Sequence, residues 1–193
     1  MRLVIMVIFA LSASGSSSLH YEKTKAGALH GKLIVQWIDH DTFIFAPDKE
    51  KPLTFVRNNN ESITPERMYT DGGSIPRPLW AFRSYSPWGY APAFIVHDWL
   101  FEMHHCKYPD YDKYDYEEAA WVMSEVMKTM MLQDNHSDPD KFTLYTMFEA
   151  VSSPIAKKLW ESGECVPPPV VMKGFPPRPE SPKPIKEYVI AFP

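Results

Sequence analysis

Between Lys32 and Tyr69 the apolar residues fall in short or alternating runs: Leu33-Ile34-Val35-Gln36-Trp37-Ile38, Thr42-Phe43-Ile44-Phe45, Leu53-Thr54-Phe55-Val56 and Arg67-Met68-Tyr69. The breaks between them are turn formers: Asp39-His40-Asp41, Pro47-Asp48 and Asn58-Asn59-Asn60. Runs punctuated in this way predict strands of a small antiparallel sheet. After Pro92 the period changes. Ala93 to His105 carries Phe94, Ile95, Val96, Trp99, Leu100, Phe101 and Met103 with few polar insertions, and the proline ahead of it suits a first helical turn. A buried helix is predicted there. From Lys113 to Leu132, Ala119, Met123, Val126 or Met127, and Met130 recur on one face, which predicts a second helix. A third is predicted from the cap at Asp138-Pro139-Asp140 toward Trp160, stopping before Gly163, with Pro154 kinking or splitting it. The pattern as a whole predicts an α+β fold, with a small antiparallel N-terminal sheet followed by about three helices.

The two ends depart from this pattern. Met1-Arg2, the apolar run Leu3 to Leu11 and the small residues Ser12-Ala13-Ser14-Gly15 read as a secretory signal, with an apolar stretch too short to span a bilayer. Residues 1–18 are therefore set outside the fold, and the protein is expected to be exported, periplasmic or secreted. Nine of the nineteen prolines lie in the last 27 residues, including Pro167-Pro168-Pro169 and Pro176-Pro177. Such a segment favours extended polyproline backbone over helix. Residues 166–193 are expected to be an arm lying on the domain or a semi-rigid tail, which leaves 19–165 as a single α+β domain.

A length of 193 residues with 45% hydrophobic content suits one compact core. The net charge of −4 and the scatter of the twenty basic residues argue against nucleic acid as a partner, since no basic stripe is present to follow a phosphate backbone. No other segment is apolar and long enough to be a membrane helix, so the mature chain is expected to carry no transmembrane segment. Cys106 and Cys165 either pair across a long loop in an oxidising compartment or remain as two buried thiols. They are not spaced as the close pairs that hold structural zinc.

Two patches can carry chemistry. The first is Thr70-Asp71-Gly72-Gly73-Ser74-Ile75-Pro76-Arg77-Pro78, directly after a strand, whose glycines permit positive φ and whose prolines fix the exit. Asp71 and Ser74 either serve a site or hydrogen-bond their own turn. The second is His97-Asp98 inside the apolar helix, where a buried polar pair is costly and needs partners. Neighbouring helical positions lie about 100° apart, so both can border one surface. His97, Phe101 and His104 share one stripe, and Asp98, Glu102 and His105 the next.

Taken with Pro87-Trp88-Gly89-Tyr90, these patches resemble an uncharacterised family of bacterial and phage proteins, domain of unknown function 1353 (DUF1353). Its pattern is Thr-Asp-x-x-Ser-x-Pro, an aromatic-glycine step, His-Asp-x-Leu-Tyr, and a later helix that opens on an acidic residue. The likeness runs roughly from Lys32 to Glu149 and implies Asp71, Ser74, Pro76, His97 and Asp98 as its marked positions. Phe101 stands where the family often has tyrosine. The later acidic residue falls at Asp115, Glu117 or Glu118, with Glu118 preferred because Trp121 then takes the aromatic position one turn on. A fainter likeness links the His-Asp step to secreted phospholipases A2. It implies a histidine that activates water (His97), a neighbouring aspartate on calcium (Asp98), and an orienting carboxylate (Glu118), with Asp71 as an added calcium ligand. The supporting cysteines and glycine-rich calcium loop of those enzymes are missing here.

Two functions follow. One is an exported hydrolase with His97 as general base, Glu118 or Asp115 orienting it, and Asp71, Asp98 and Arg77 contacting a metal or substrate. A variant makes Ser74 the nucleophile, although no Gly-x-Ser-x-Gly elbow is present. Any metal would sit on Asp98 and Asp71, and calcium ranks ahead of zinc. A zinc site on His97, Asp98, His104 or His105 lacks the His-Glu-x-x-His spacing. The other function is a non-enzymatic envelope or phage-associated protein in which Asp71, His97 and Asp98 form a buried hydrogen-bond network. The aromatics Trp80, Phe82, Tyr85, Trp88 and Tyr90 would then face a protein partner, or simply pack within the domain.

Overall fold

A computed structural model describes residues 15–39, 42–70, 89–133, 139–166 and 184–193. Residues 15–23 form helix α1, followed by strands β1 (Ala28–Asp39), β2 (Thr42–Phe45), β3 (Thr54–Val56), β4 (Ser62–Ile63) and β5 (Met68–Thr70). Then come the helices α2 (Ala91–Cys106), α3 (Tyr116–Gln133), α4 (Lys141–Val151) and α5 (Pro154–Ser162), and last the strand β6 (Lys186–Phe192). The fold is α+β, with an antiparallel sheet ahead of the main helices.

β1 organises the sheet. Its N-terminal part pairs with β3 (Ala28↔Val56), its C-terminal part with β2 (Val35↔Phe45), and the stretch from Gly31 to Trp37 with β6 (Gly31↔Phe192 to Trp37↔Lys186). Leu29, Leu33 and Val35 point inward with the two-residue period of a half-buried strand. Gly31, at φ +90°, lies at the change of partner. A Cβ there would run into the Pro52 carbonyl oxygen, so no side chain fits without moving backbone.

The helices cover the inward face. α2 is buried from Ala91 to His97, and Ile95 and Leu100 join Met123 and Met127 of α3, Leu144 of α4, and Phe45 and Phe55 of the sheet in one core. A helix apolar almost all round belongs in such a position. It ends at Lys107, a left-handed residue (φ 54°), where the Tyr108 amide returns to the Met103 carbonyl at 3.1 Å.

Several expected elements sit where the pattern put them, and others were added. Pro154 splits the third predicted helix into α4 and α5, with Ser153 capping the second half through the Ala156 amide. α1 crosses the expected boundary at residue 18: Ser17 and His20 are buried, and Lys128 of α3 donates to the carbonyls of Tyr21 and Thr24 at 2.6 and 3.0 Å. β6 comes from the stretch expected as a tail. The run of prolines ahead of it, residues 167–183, lies outside the described residues, as do residues 1–14.

Candidate functional site

Thr70, which heads the first motif patch, meets the His97-Asp98 step at the junction of β5 and α2. Thr70, the last residue of β5, donates its hydroxyl to Asp98 Oδ2 at 3.2 Å. The other carboxylate oxygen of Asp98 lies 3.7 Å from His97 Nδ1. His97 is 7% exposed, and its second ring nitrogen, Nε2, is fully buried with no hydrogen-bond partner among the described residues. The Asp98 side chain is 24% exposed, so the pair runs from the interior toward solvent. On the far side the His97 ring packs against Phe101 at 4.9 Å between centroids, and Phe101 meets Trp160 of α5 edge-on at 4.8 Å. Thr70 is therefore a site residue that the sequence argument quoted in its motif without giving it a role.

The remaining expected site residues divide into two groups. Asp71, Ser74 and Arg77 lie outside the described residues, with Pro76 and the aromatics Trp80, Phe82, Tyr85 and Trp88. Glu118 and Asp115 are described and are engaged elsewhere. Asp115 caps α3 by accepting from the Glu118 amide at 2.8 Å, and the Glu118 carboxylate pairs with Arg57 at 2.6 Å. Among the described residues the carboxylate that faces the His97 ring is Asp98, not Glu118. Glu118 instead belongs to the three carboxylates that Arg57 gathers. Arg57 donates to Glu125 from Nε and Nη2 at 2.7 and 2.9 Å, to Glu61 at 3.0 Å, and pairs with Glu118. A guanidinium fork satisfies such a set where no histidine can.

That cluster is electrostatically closed. Burial opposes ionisation of Glu61, but hydrogen bonds from Lys113, Tyr114 and Arg57 outweigh it and hold its carboxyl down at about 2. Burial and the bond to Glu61 push the Tyr114 phenol up, and the bond that Arg57 donates to Glu125 leads the effects that raise Arg57. The cluster ties the turn after β3 to α3.

His104 and His105, considered as zinc ligands, are also committed. His104 stacks on Trp160 at 4.2 Å, and His105 Nε2 lies 3.1 Å from the carbonyls of both Leu159 and Trp160, which makes it the donor to the end of α5. Among the described residues the group that can offer three metal-binding atoms is Glu102, Cys106 and Cys165, and there the two cysteines are joined as a disulfide. A cavity of about 260 Å³ opens on the opposite side of α2 from His97, between Trp99, Met103, Tyr108 and the β4 residues Ser62 and Ile63. It does not include the His97–Asp98 pair.

The family model for proteins of unknown function DUF1353 matches residues 50–148, a span that contains β3 to β5, α2, α3 and the Thr70–Asp98 junction. The chain belongs to the DUF1353 family. The matched span carries every residue from Asp71 to Glu118 considered for the site, whereas α1, α5, β6 and Cys165 fall beyond it. No curated protein and no solved structure matches the chain. No helix of the described DUF1353 chain is long and apolar enough to cross a membrane.

Proposed function

We propose that this DUF1353 protein is an exported hydrolase in which His97 is the general base. One observation carries the reading: a fully buried imidazole nitrogen, His97 Nε2, with no partner among the described residues, on a ring whose Nδ1 faces Asp98. Leaving a buried polar atom unbonded costs roughly 1–3 kcal/mol, and folds accept such costs mainly where the atom is kept for a reacting group. In this reading Asp98 orients the ring and Thr70 orients Asp98. Nε2 then takes a proton from water or from the hydroxyl of Ser74. Asp71 and Arg77 contact substrate, and Asp71 with Asp98 offers the hard oxygens suited to calcium. The orienting carboxylate is Asp98 rather than Glu118 or Asp115. Export is supported by the signal-like start and by the Cys106–Cys165 disulfide, a bond that persists in oxidising compartments.

The test is hydrolysis of an ester, a peptide and a peptidoglycan panel, with and without added calcium, by the wild type and by His97→Ala. The expected result is turnover that falls about 10²- to 10⁴-fold in the variant. Turnover that survives the substitution contradicts the reading.

A second reading draws on the Thr70–Asp98 bond, which fastens the end of β5 to α2. In it the protein is a non-enzymatic envelope or phage-associated component, and the same residues clasp a loop to a helix. It requires His97 to be fully bonded, so removing the ring would destabilise the fold strongly.

A further inference from the structure

Cys106 is the last residue of α2, and Cys165 lies three residues beyond α5; they are joined with their Cα atoms 4.7 Å apart. One turn earlier on α2, Glu102 places Oε1 3.3 Å from Cys106 Sγ. A disulfide sulfur carries no proton, so the carboxyl must donate for this contact to be a hydrogen bond. Burial pushes the Glu102 carboxyl up, against the opposing charge of His105.

The two sulfurs differ in access and in what they become when released. Cys165 is exposed and Cys106 half-buried. A thiolate at Cys106 would sit at the negative end of the α2 dipole. The nearby Lys107 ammonium lies over the Tyr111 ring at 4.5 Å. Cys106 therefore needs a proton as it leaves, and Glu102 is in place to give one.

We propose that Cys106–Cys165 is an exchangeable disulfide, opened by an external dithiol that attacks Cys165 while Glu102 hands its proton to the departing Cys106 sulfur. The incoming thiolate forms a bond to Cys165 Sγ, the Cys165–Cys106 bond breaks, and its electron pair goes to Cys106, which takes the Glu102 proton. The second thiol of the dithiol, deprotonated by solvent base, then displaces Cys165 as a thiol and leaves as a cyclic disulfide. The protein gains two electrons, the dithiol loses two, and Glu102 is reprotonated from solvent. Opening removes the covalent link between the end of the helix that carries His97 and Asp98 and the segment beyond α5, leaving the contacts of Phe101, His104 and His105 with α5. This site is independent of the hydrolase reading.

The titratable groups that bear on Glu102 are His105, which opposes its rise, and Tyr108, whose own phenol is raised first by burial and then by Glu102. The test is the rate of reduction of the full chain by dithiothreitol between about pH 5.5 and 8, expressed per unit of dithiothreitol thiolate, for the wild type and Glu102→Gln. The proposal expects the wild-type rate to rise as pH falls, and the variant to be at least about tenfold slower at the acid end with a flat profile. Equal rates and profiles overturn it. Trapping the wild type with a monothiol and then iodoacetamide gives a second readout that needs no variant. The adduct is expected on Cys165 with alkylation on Cys106, and the reverse assignment overturns the proposal.

Discussion

Thr70 Oγ1 donates to Asp98 Oδ2 at 3.2 Å, so the residue that precedes the Asp-Gly-Gly-Ser sequence is bonded to the second residue of the His-Asp step. Thr70 and Asp98 are in contact although 28 residues separate them in the chain. Asp98 is left with one oxygen for Thr70 and one facing His97. Thr70→Val keeps the shape and removes the donor. It should cost about 1 kcal/mol in urea unfolding, and on the hydrolase reading it should lower turnover more than it raises KM, because the misplaced group is Asp98.

The Arg57–Glu125 pair is a structural device and should behave as one. Both side chains are nearly buried, at 10% and 12% exposure, and two bonds join them. Removing one partner strands the other, so Arg57→Met is expected to cost about 3–5 kcal/mol, while the double change Arg57→Met with Glu125→Leu should recover much of the loss. A double-mutant cycle by denaturant unfolding checks this, and an additive result contradicts it.

Acid should weaken the fold in two stages. Burial, followed by Lys23, lowers His20 from 6.5, and its ring bonds Ser124 at 3.2 Å and stacks on Trp121. His104 is likewise lowered, first by burial and then by Lys107 and His105. For a histidine whose folded value lies below the unfolded one, the neutral form is favoured by folding. Its contribution is complete above about 6.5 and is lost as pH falls through the lower folded value. Glu61, held at about 2 against an ordinary 4.5, contributes above 4.5 and loses that contribution as pH falls toward 2. Melting temperature against pH should drop first below about 6.5, and His20→Gln should flatten that first step only.

Gly31 is fixed by the backbone it meets. With φ at +90° and the Pro52 carbonyl in the way of a Cβ, Gly31→Ala should cost at least about 2 kcal/mol in thermal or urea unfolding. A neutral substitution would show that β1 can reach its β3 and β2 partners without this kink.

Local pattern announced the parts of the fold that pattern controls. The alternation that buries Leu33 and Val35, the all-round apolar α2 and the break at Pro154 all appear in the structure. β4 has two residues, too few to show a period, and it forms because Phe55 and Val56 of β3 need antiparallel partners in Ile63 and Ser62. β6 is hidden for a different reason. Lys186 to Phe192 follows a proline-rich stretch, and its pairing with β1 is a contact across more than 140 residues that no local window carries. The site shows the same division. His97, Asp98 and the turn after Thr70 stood out as polar groups in apolar surroundings, and Thr70 and Asp98 do come together. Glu118 was chosen by spacing along its helix, and spacing says nothing of Arg57, which arrives from β3 and takes it. Glu102 was visible only as a member of the Asp98 stripe; its meaning depends on Cys106 one turn on and on Cys165 coming from beyond α5.

The central claim is that His97 Nε2 is held unbonded in the interior for a reacting group and does not hold the fold together. The most direct measurement is the urea unfolding free energy of His97→Leu against the wild type near pH 7.5, where the leucine fills the space with apolar atoms. The account predicts a stability unchanged or raised by up to about 2 kcal/mol, because a buried nitrogen with no partner among the described residues is removed. A loss of more than about 2 kcal/mol would mean that the ring is bonded into a structural network, and would contradict it.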